Sequence, residues 1–289
     1  MNGTALGVIA ALASALCWAT ATILVKAGMR SRSPVAVNMI RLYAVSLMYL
    51  AVLIPTGGIE EILSSSSLYL AVAFVSAQFG FVIGDYFYFH TLHRMGVSRT
   101  VPITSTYPLW TVLWASLFLG RRVSLRVYLG ALLIVLAIII VRRAEEEEHA
   151  DPRGFVYALL TPVSWSIGIA MMDWLTGHFN PLTLAGLRMF SAAIGVSVFL
   201  PAYRDELLST NLRELALLSG AAFSGLLLGQ FFFVYSTQAV GSQVSAPVSS
   251  INPLIASLMA VVFLKETPNR KILEGLALAI LGILLVSMG

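Results

Sequence analysis

The stretch GFVIGDYFYFHTLHRMGVSRTVPITSTYP, residues 80–108, returns as GLLLGQFFFVYSTQAVGSQVSAPVSSINP, residues 225–253, at an offset of 145. Gly80, Gly84, Gly96, Pro102 and Pro108 reappear as Gly225, Gly229, Gly241, Pro247 and Pro253, and the register runs on through Phe118 and Phe263 to Gly130 and Gly275. Glycine, proline and phenylalanine coincidences at one fixed offset, without a gap, mark an internal duplication. What the two copies share is a way of bending and packing the backbone. Their chemistry differs, because Asp85 of the first copy faces Gln230 in the second.

Outside this stretch the chain is overwhelmingly apolar. It has 58% hydrophobic and 11% charged residues over 289 positions, a balance that a water-exposed surface does not support. The 18 Lys and Arg outnumber 14 Asp and Glu and lie mostly between apolar runs, which suits anionic lipid headgroups and leaves no nucleic-acid footprint. The single Cys17 excludes an intrachain disulfide. The first apolar run follows no basic residue and is too long for a cleavable signal, so it reads as a spanning helix.

About 20 apolar residues carry a helix across the roughly 30 Å hydrocarbon layer. Ten segments qualify: 5–29, 34–54, 67–91, 101–119 and 128–141, then 154–175, 181–200, 215–239, 244–264 and 272–288. Their continuous apolar character excludes the alternating strands of a barrel. The predicted fold is therefore an all-α membrane protein. Between the halves, residues 143–153 contain four consecutive Glu and read as a solvated, charged linker. The expected organisation is a first five-helix repeat over 1–142, this linker, and a second repeat over 154–289.

The first two helices repeat at an offset of 147, where Trp18, Pro34 and Arg41 return as Trp165, Pro181 and Arg188. Ser33-Pro34 and Asn180-Pro181 each set a capping residue before a proline at the first helical position. Five crossings per copy is an odd number, so the second copy enters the membrane from the opposite side. The ten transmembrane helices then form two inverted five-helix repeats, an architecture that supports alternating access.

With Trp18 and Trp165, Arg41 and Arg188, Pro108 and Pro253, and Leu264-Lys265-Glu266 followed by Gly275, the chain resembles the drug/metabolite transporter superfamily, specifically its EamA-like ten-helix members. Ala19 and Ser166 follow the tryptophans where the family commonly has glycine, and Arg121 stands where an acidic residue like Glu266 is common. The resemblance implies a secondary transporter of small metabolites such as amino acids, an exporter or exchanger, with a central cavity lined by both copies. It implies no cofactor and no metal.

Pro102, Pro108, Pro247 and Pro253 fall within the fourth and ninth segments, where an interior proline frees a carbonyl that lipid cannot satisfy. These helices are expected to kink and to face the substrate path. Gly80-x3-Gly84 and Gly225-x3-Gly229 read as close-packing stripes, one tight contact per copy. Asp85 is the one acidic residue deep in an apolar segment, with Gln78 and Tyr88 on its helix face. It reads either as a proton-coupling or amine-binding carboxylate or as the structural partner of Arg41. Arg41 and Arg188 are candidates for a cavity rim that attracts carboxylates or phosphates, or for snorkelling to the interface. Trp18, Tyr107 and Trp165 could stack on a substrate, and Asn38, Gln230, Tyr235 and Asn252 could orient it. Lys26 and its repeat counterpart Asp173 read as interfacial.

Enzyme signatures are missing. His90-x2-His93 lacks the glutamate of a zinc protease helix, Val82 breaks the glycine pattern of an intramembrane aspartyl protease, and no nucleophile elbow or phosphate loop occurs. A membrane-embedded enzyme and a non-transporting scaffold are the competing classes. Thirteen basic residues flank the odd-numbered helix exits against three on the termini side, which puts the termini outside the cytoplasm, whereas the resemblance implies cytoplasmic termini.

Overall fold

The computed structural model describes residues 3–28, 32–142, 152–264 and 270–289. Most of the charged linker, residues 143–151, and the Lys265 and Glu266 positions lie outside the described residues. Among those described, the chain is helical and contains no strand. Six continuous helical stretches are long and apolar enough to cross a membrane, and shorter apolar helices supply the remaining crossings. The protein is an all-α, multi-pass membrane protein.

The first copy comprises α1 (Gly3–Gly28), α2 (Pro34–Leu53), a short surface helix α3 (Gly58–Ser64), α4 (Ser67–Ala77) leading into α5 (Gly84–Thr104), α6 (Tyr107–Phe118) and α7 (Leu125–Arg142). The second comprises α8 (Pro152–Leu175), α9 (Pro181–Val196) continued by α10 (Leu200–Leu208), α11 (Leu212–Ala221) leading into α12 (Gly229–Val240), α13 (Ser242–Ser249), α14 (Asn252–Leu264) and α15 (Arg270–Ser287). Ser33 and Asn180 cap α2 and α9 through their side chains, with proline in the first turn.

Reciprocal contacts fix the inverted relation of the copies. Glu61 of the first copy accepts from the backbone N–H of Asn180, at 2.7 Å. At the repeat-related positions, Glu206 of the second copy accepts from the N–H of Ser33, at 2.9 Å. The two caps lie on opposite faces, because one precedes α9 and the other precedes α2. Gly7 packs on Val240 and Gly289 on Ser124 and Val127, so both chain ends share a face with the Asn180 cap. Gly28, Leu218, Gly154 and Met95 meet on the other.

Each copy's first helix packs against the other copy's third crossing. Trp18 lies against Gly229, and Trp165 lies against Gly84. The glycine stripes thus make one close contact per copy, each with the other copy's first helix, because only a residue without a side chain admits an indole there. Gly130 and Gly282 do the same for α7 and α15, where a Cβ on either would sit within 2.7 Å of the other's carbonyl oxygen.

Both third crossings carry a π-helical turn, Gln78–Ile83 and Ala222–Leu228, at the shared glycine. A π turn lengthens the hydrogen-bond loop and frees carbonyls, which lipid does not satisfy. Side chains from the opposite copy donate to carbonyls of these turns. Ser164 donates to the Phe79 carbonyl at 2.7 Å, and Tyr49 to the Leu227 carbonyl at 2.9 Å.

The fourth and ninth segments differ from expectation. In the first copy the helix continues through 91–101 to Thr104, whereas Gly241, with φ at +78°, starts a new helix in the second. The chain then breaks at Ser105–Thr106 and again at the repeat-related Ser250–Ile251. Pro108 and Pro253 consequently stand in the first turn of a new helix, where a missing N–H costs nothing, not at an interior kink. Pro247 lies inside α13 and Pro102 inside α5.

Candidate functional site

A cavity of about 450 Å³ occupies the middle of the molecule between the copies. The π turns and helix breaks both border it. Gly80 and Phe81 come from the first π turn and Leu226 from the second, while Ser105 and Tyr107 face Ser250, Asn252 and Pro253 from the two breaks. Thr22, Val25 and Pro34, all near helix ends on the face opposite the termini, also line it, so the cavity runs toward that face.

Most of the residues singled out in the sequence converge here: Trp18, Arg41, Asp85, Tyr88, Tyr107, Trp165, Arg188, Gln230 and Asn252 all line the cavity. The two indoles act as paired struts. Trp18 donates from Nε1 to the Gly225 carbonyl at 3.0 Å, and Trp165 donates from Nε1 to Asp85 Oδ1 at 3.1 Å. Trp165 also meets Tyr107 edge-on, with ring centroids 6.1 Å apart, and Trp18 meets Phe233 at 5.2 Å.

The arginines are environments of different kinds. Arg188 is 2% exposed, its Nε donates to Ser76 Oγ at 3.1 Å, and its guanidinium lies 5.1 Å from the Phe81 ring centroid. It is a buried cation with fixed partners and does not snorkel. Arg41 and Asp85 act on each other through their charges but lie beyond ion-pair distance, and the hydrogen bond to Asp85 comes from Trp165.

Three residues from the sequence analysis lie elsewhere. Asn38 donates to the Phe81 carbonyl at 2.9 Å and thereby satisfies a π-turn oxygen. Gln78 donates to the Ser191 carbonyl at 2.9 Å and packs against Gly195 of α9. Tyr235 turns outward and is exposed. Each sits on the right helix but on a face that meets a neighbouring helix or lipid. Among the described residues no cluster could hold a metal ion.

The termini face carries a hydrogen-bonded cluster whose members the sequence alone does not connect. Asp173, its side chain fully buried, accepts from Arg121 Nη2 at 2.8 Å, from the Ser242 backbone N–H at 2.9 Å and from Ser242 Oγ at 2.6 Å. It joins the end of α6 in the first copy to the end of α8 and the start of α13 in the second. Gln238 adds a bond from Nε2 to the Thr176 carbonyl at 2.7 Å. The shared 145 and 147 offsets do not bring Asp173 to Arg121; only the inverted packing does.

A helical bundle of two inverted halves around a central cavity walled by aromatic and apolar side chains with a few polar ones, and with a hydrogen-bonded cluster at the termini face, has the build of a membrane transporter. The chain belongs to the EamA-like transporter family, whose model matches residues 5–143 and again 152–288. An uncharacterized transporter of Archaeoglobus fulgidus is 30% identical over 281 residues, spanning 97% of this chain and 98% of that one. An S-adenosylmethionine uptake transporter of Rickettsia bellii is 24% identical over 185 residues, 64% of this chain and 61% of that protein. A solved crystal structure superposes with a TM-score of 0.79 over 98% of this chain and 96% of its own, at 16% identity, and so shares the fold.

Proposed function

We propose that this protein is a secondary transporter, an exporter or exchanger of small metabolites such as amino acids, that works by alternating access. The observation that carries the reading is the cavity of about 450 Å³ between inverted copies, whose lining extends toward one face while the Asp173 cluster joins the copies at the other. That volume lies within the range of small-molecule sites, and the walls combine aromatic rings with a few convergent polar groups. One relative is named for uptake of S-adenosylmethionine, a small metabolite.

In this reading the partners are a small-molecule substrate and the surrounding bilayer, with no nucleic acid. Trp18, Tyr88, Tyr107 and Trp165 supply apolar and stacking surface, while Arg41, Asp85, Gln230 and Asn252 orient polar groups. The helix breaks at Ser105–Thr106 and Ser250–Ile251 are the hinges, since each interrupts a crossing beside the cavity and lets its halves move apart. Asp85 adds a second reading, proton coupling, because it is a cavity-lining carboxylate hydrogen-bonded by an indole N–H, with the Arg41 charge acting on it from beyond 4 Å.

Counterflow tests the function. Purified protein in liposomes preloaded with unlabelled amino acids and other small metabolites should accumulate the matching labelled compound transiently. Failure to exchange any compound that stabilises the purified protein would overturn transport and favour a scaffold or enzyme.

A further inference from the structure

Arg41 and Arg188 occupy repeat-related positions, and Gly225 and Gly80 keep the register between them, with Arg41 Nη2 at 3.9 Å and Arg188 Nη2 at 3.3 Å from where a Cβ would stand. The copies have diverged around them in one direction. Arg188 is engaged by Ser76 Oγ at 3.1 Å, by Met172 Sδ at 3.0 Å and by the Phe81 ring. The repeat offsets turn Ser76, Met172 and Phe81 into Ala221, Val25 and Leu226. Hydroxyl, sulfur and ring are all gone from the Arg41 side.

In the second copy Gln230 stands at the position of Asp85, so the wall that copy gives the cavity carries an amide there. Arg41 Nε is buried with no hydrogen-bond partner, and so is Gln230 Oε1, in a residue only 6% exposed. Both residues line the central cavity. Asp85 is the carboxylate whose charge acts on Arg41, yet it stands beyond 4 Å and leaves the guanidinium without a salt bridge; inside a membrane protein that is costly, and the planar fork matches carboxylate and phosphate oxygens bidentately. An acceptor beside it suits an N–H or O–H of the same ligand.

We propose that Arg41 is the anion-recognising residue of the cavity, that the substrate carries a carboxylate or phosphate group placed against it, and that Arg188 is a structural cation. This rests on reading the cavity as the substrate site, and it narrows the substrate to anions and zwitterions. One arginine was stripped of partners to meet a ligand while its twin kept them to hold the copies together.

Phenylglyoxal labelling of the full chain in detergent, mapped by peptide mass spectrometry, tests the assignment without a known substrate. Arg41 is modified and Arg188 is spared. Potassium phosphate or pyruvate slows modification of Arg41 about tenfold, the protection given by a ligand at roughly ten times its dissociation constant, whereas chloride and acetamide do not. Equal modification of the two arginines, or an Arg41 rate that neither phosphate nor pyruvate changes, overturns the proposal. In thermal unfolding, Arg41→Gln abolishes stabilisation by these anions, and Arg188→Gln lowers the midpoint of the ligand-free protein yet retains it. Absent counterflow alongside anion-protected Arg41 would sink the transport reading and leave this one standing.

Discussion

Replacing Asp173 with alanine should unlatch the termini face. The carboxylate accepts three hydrogen bonds, two of them from the first residue of α13, and its side chain is fully buried. Breaking a buried ion pair from one side costs about 3–5 kcal/mol. Arg121 is 41% exposed and regains water, which places the loss near the lower end, about 3 kcal/mol. In a state open to the termini face, Asp173 would be solvated and its loss nearly free, so the penalty falls on the closed state alone. At a factor of ten per 1.4 kcal/mol, the closed-to-open ratio shifts on the order of a hundredfold. Ser249 is buried between the latch and the cavity, so a Ser249→Cys substitution in a Cys17→Ala background reports the change. A membrane-impermeant thiol reagent applied from the termini side should react slowly with this parent and far faster once Asp173→Ala is added. Arg121→Ala, which leaves the two bonds to Ser242 in place, should have a smaller effect. Equal thiol reactivity in the parent and the Asp173→Ala protein, both folded, would refute the reasoning.

Gly130→Ala should destabilise the α7–α15 pair by about 1–3 kcal/mol, because its Cβ would meet the Gly282 carbonyl oxygen at 2.6 Å; thermal unfolding with tryptophan fluorescence reads the drop. Gly120→Ala, at φ +62° but facing open space, should cost only the left-handed backbone penalty of about 1–2 kcal/mol and leave the helix pair intact. Asp85→Asn should abolish any coupling of counterflow to a pH gradient while the fold persists, since the amide still accepts from Trp165; an unchanged response to the gradient would remove Asp85 from the coupling step. The charge bias predicts that a C-terminal alkaline phosphatase fusion is active and a fluorescent-protein fusion dark.

Much of this architecture was legible because glycine and proline carry positional meaning in a membrane. The fixed offsets exposed the duplication, and the odd number of apolar runs required its inversion. The cavity residues followed from polarity in apolar surroundings: Asp85, Arg41 and Gln230 are conspicuous there, and the paired tryptophans are conspicuous by recurrence. The π turns were not legible, because Gly80 and Gly225 permit several close-packed geometries and only the opposite copy's Ser164 and Tyr49, donating to carbonyls of the turns, select this one. Asn38 and Gln78 misled for the same reason, as their amides serve the backbone of neighbouring helices. The helix breaks were misread as kinks because Pro108 and Pro253 look alike as an interior proline and as the start of a new helix. The meeting of Arg121, Asp173 and Ser242 was not legible, because it depends on which ends of α6, α8 and α13 share a face; Asp173, read as interfacial, is instead buried in it.

The central claim is that one cavity is exposed alternately to the two faces by reciprocal movement of the copies. Pulsed electron paramagnetic resonance on two label pairs tests it most directly, one pair at Arg122 and His178 on the termini face and one at Lys26 and Arg94 on the other. With Asp173 intact, the termini-face pair should be short and the opposite pair long; Asp173→Ala should lengthen the first distribution and shorten the second. If both pairs hold a single unchanged distance in the two proteins, or if they lengthen together, the two faces are not coupled and the account is wrong.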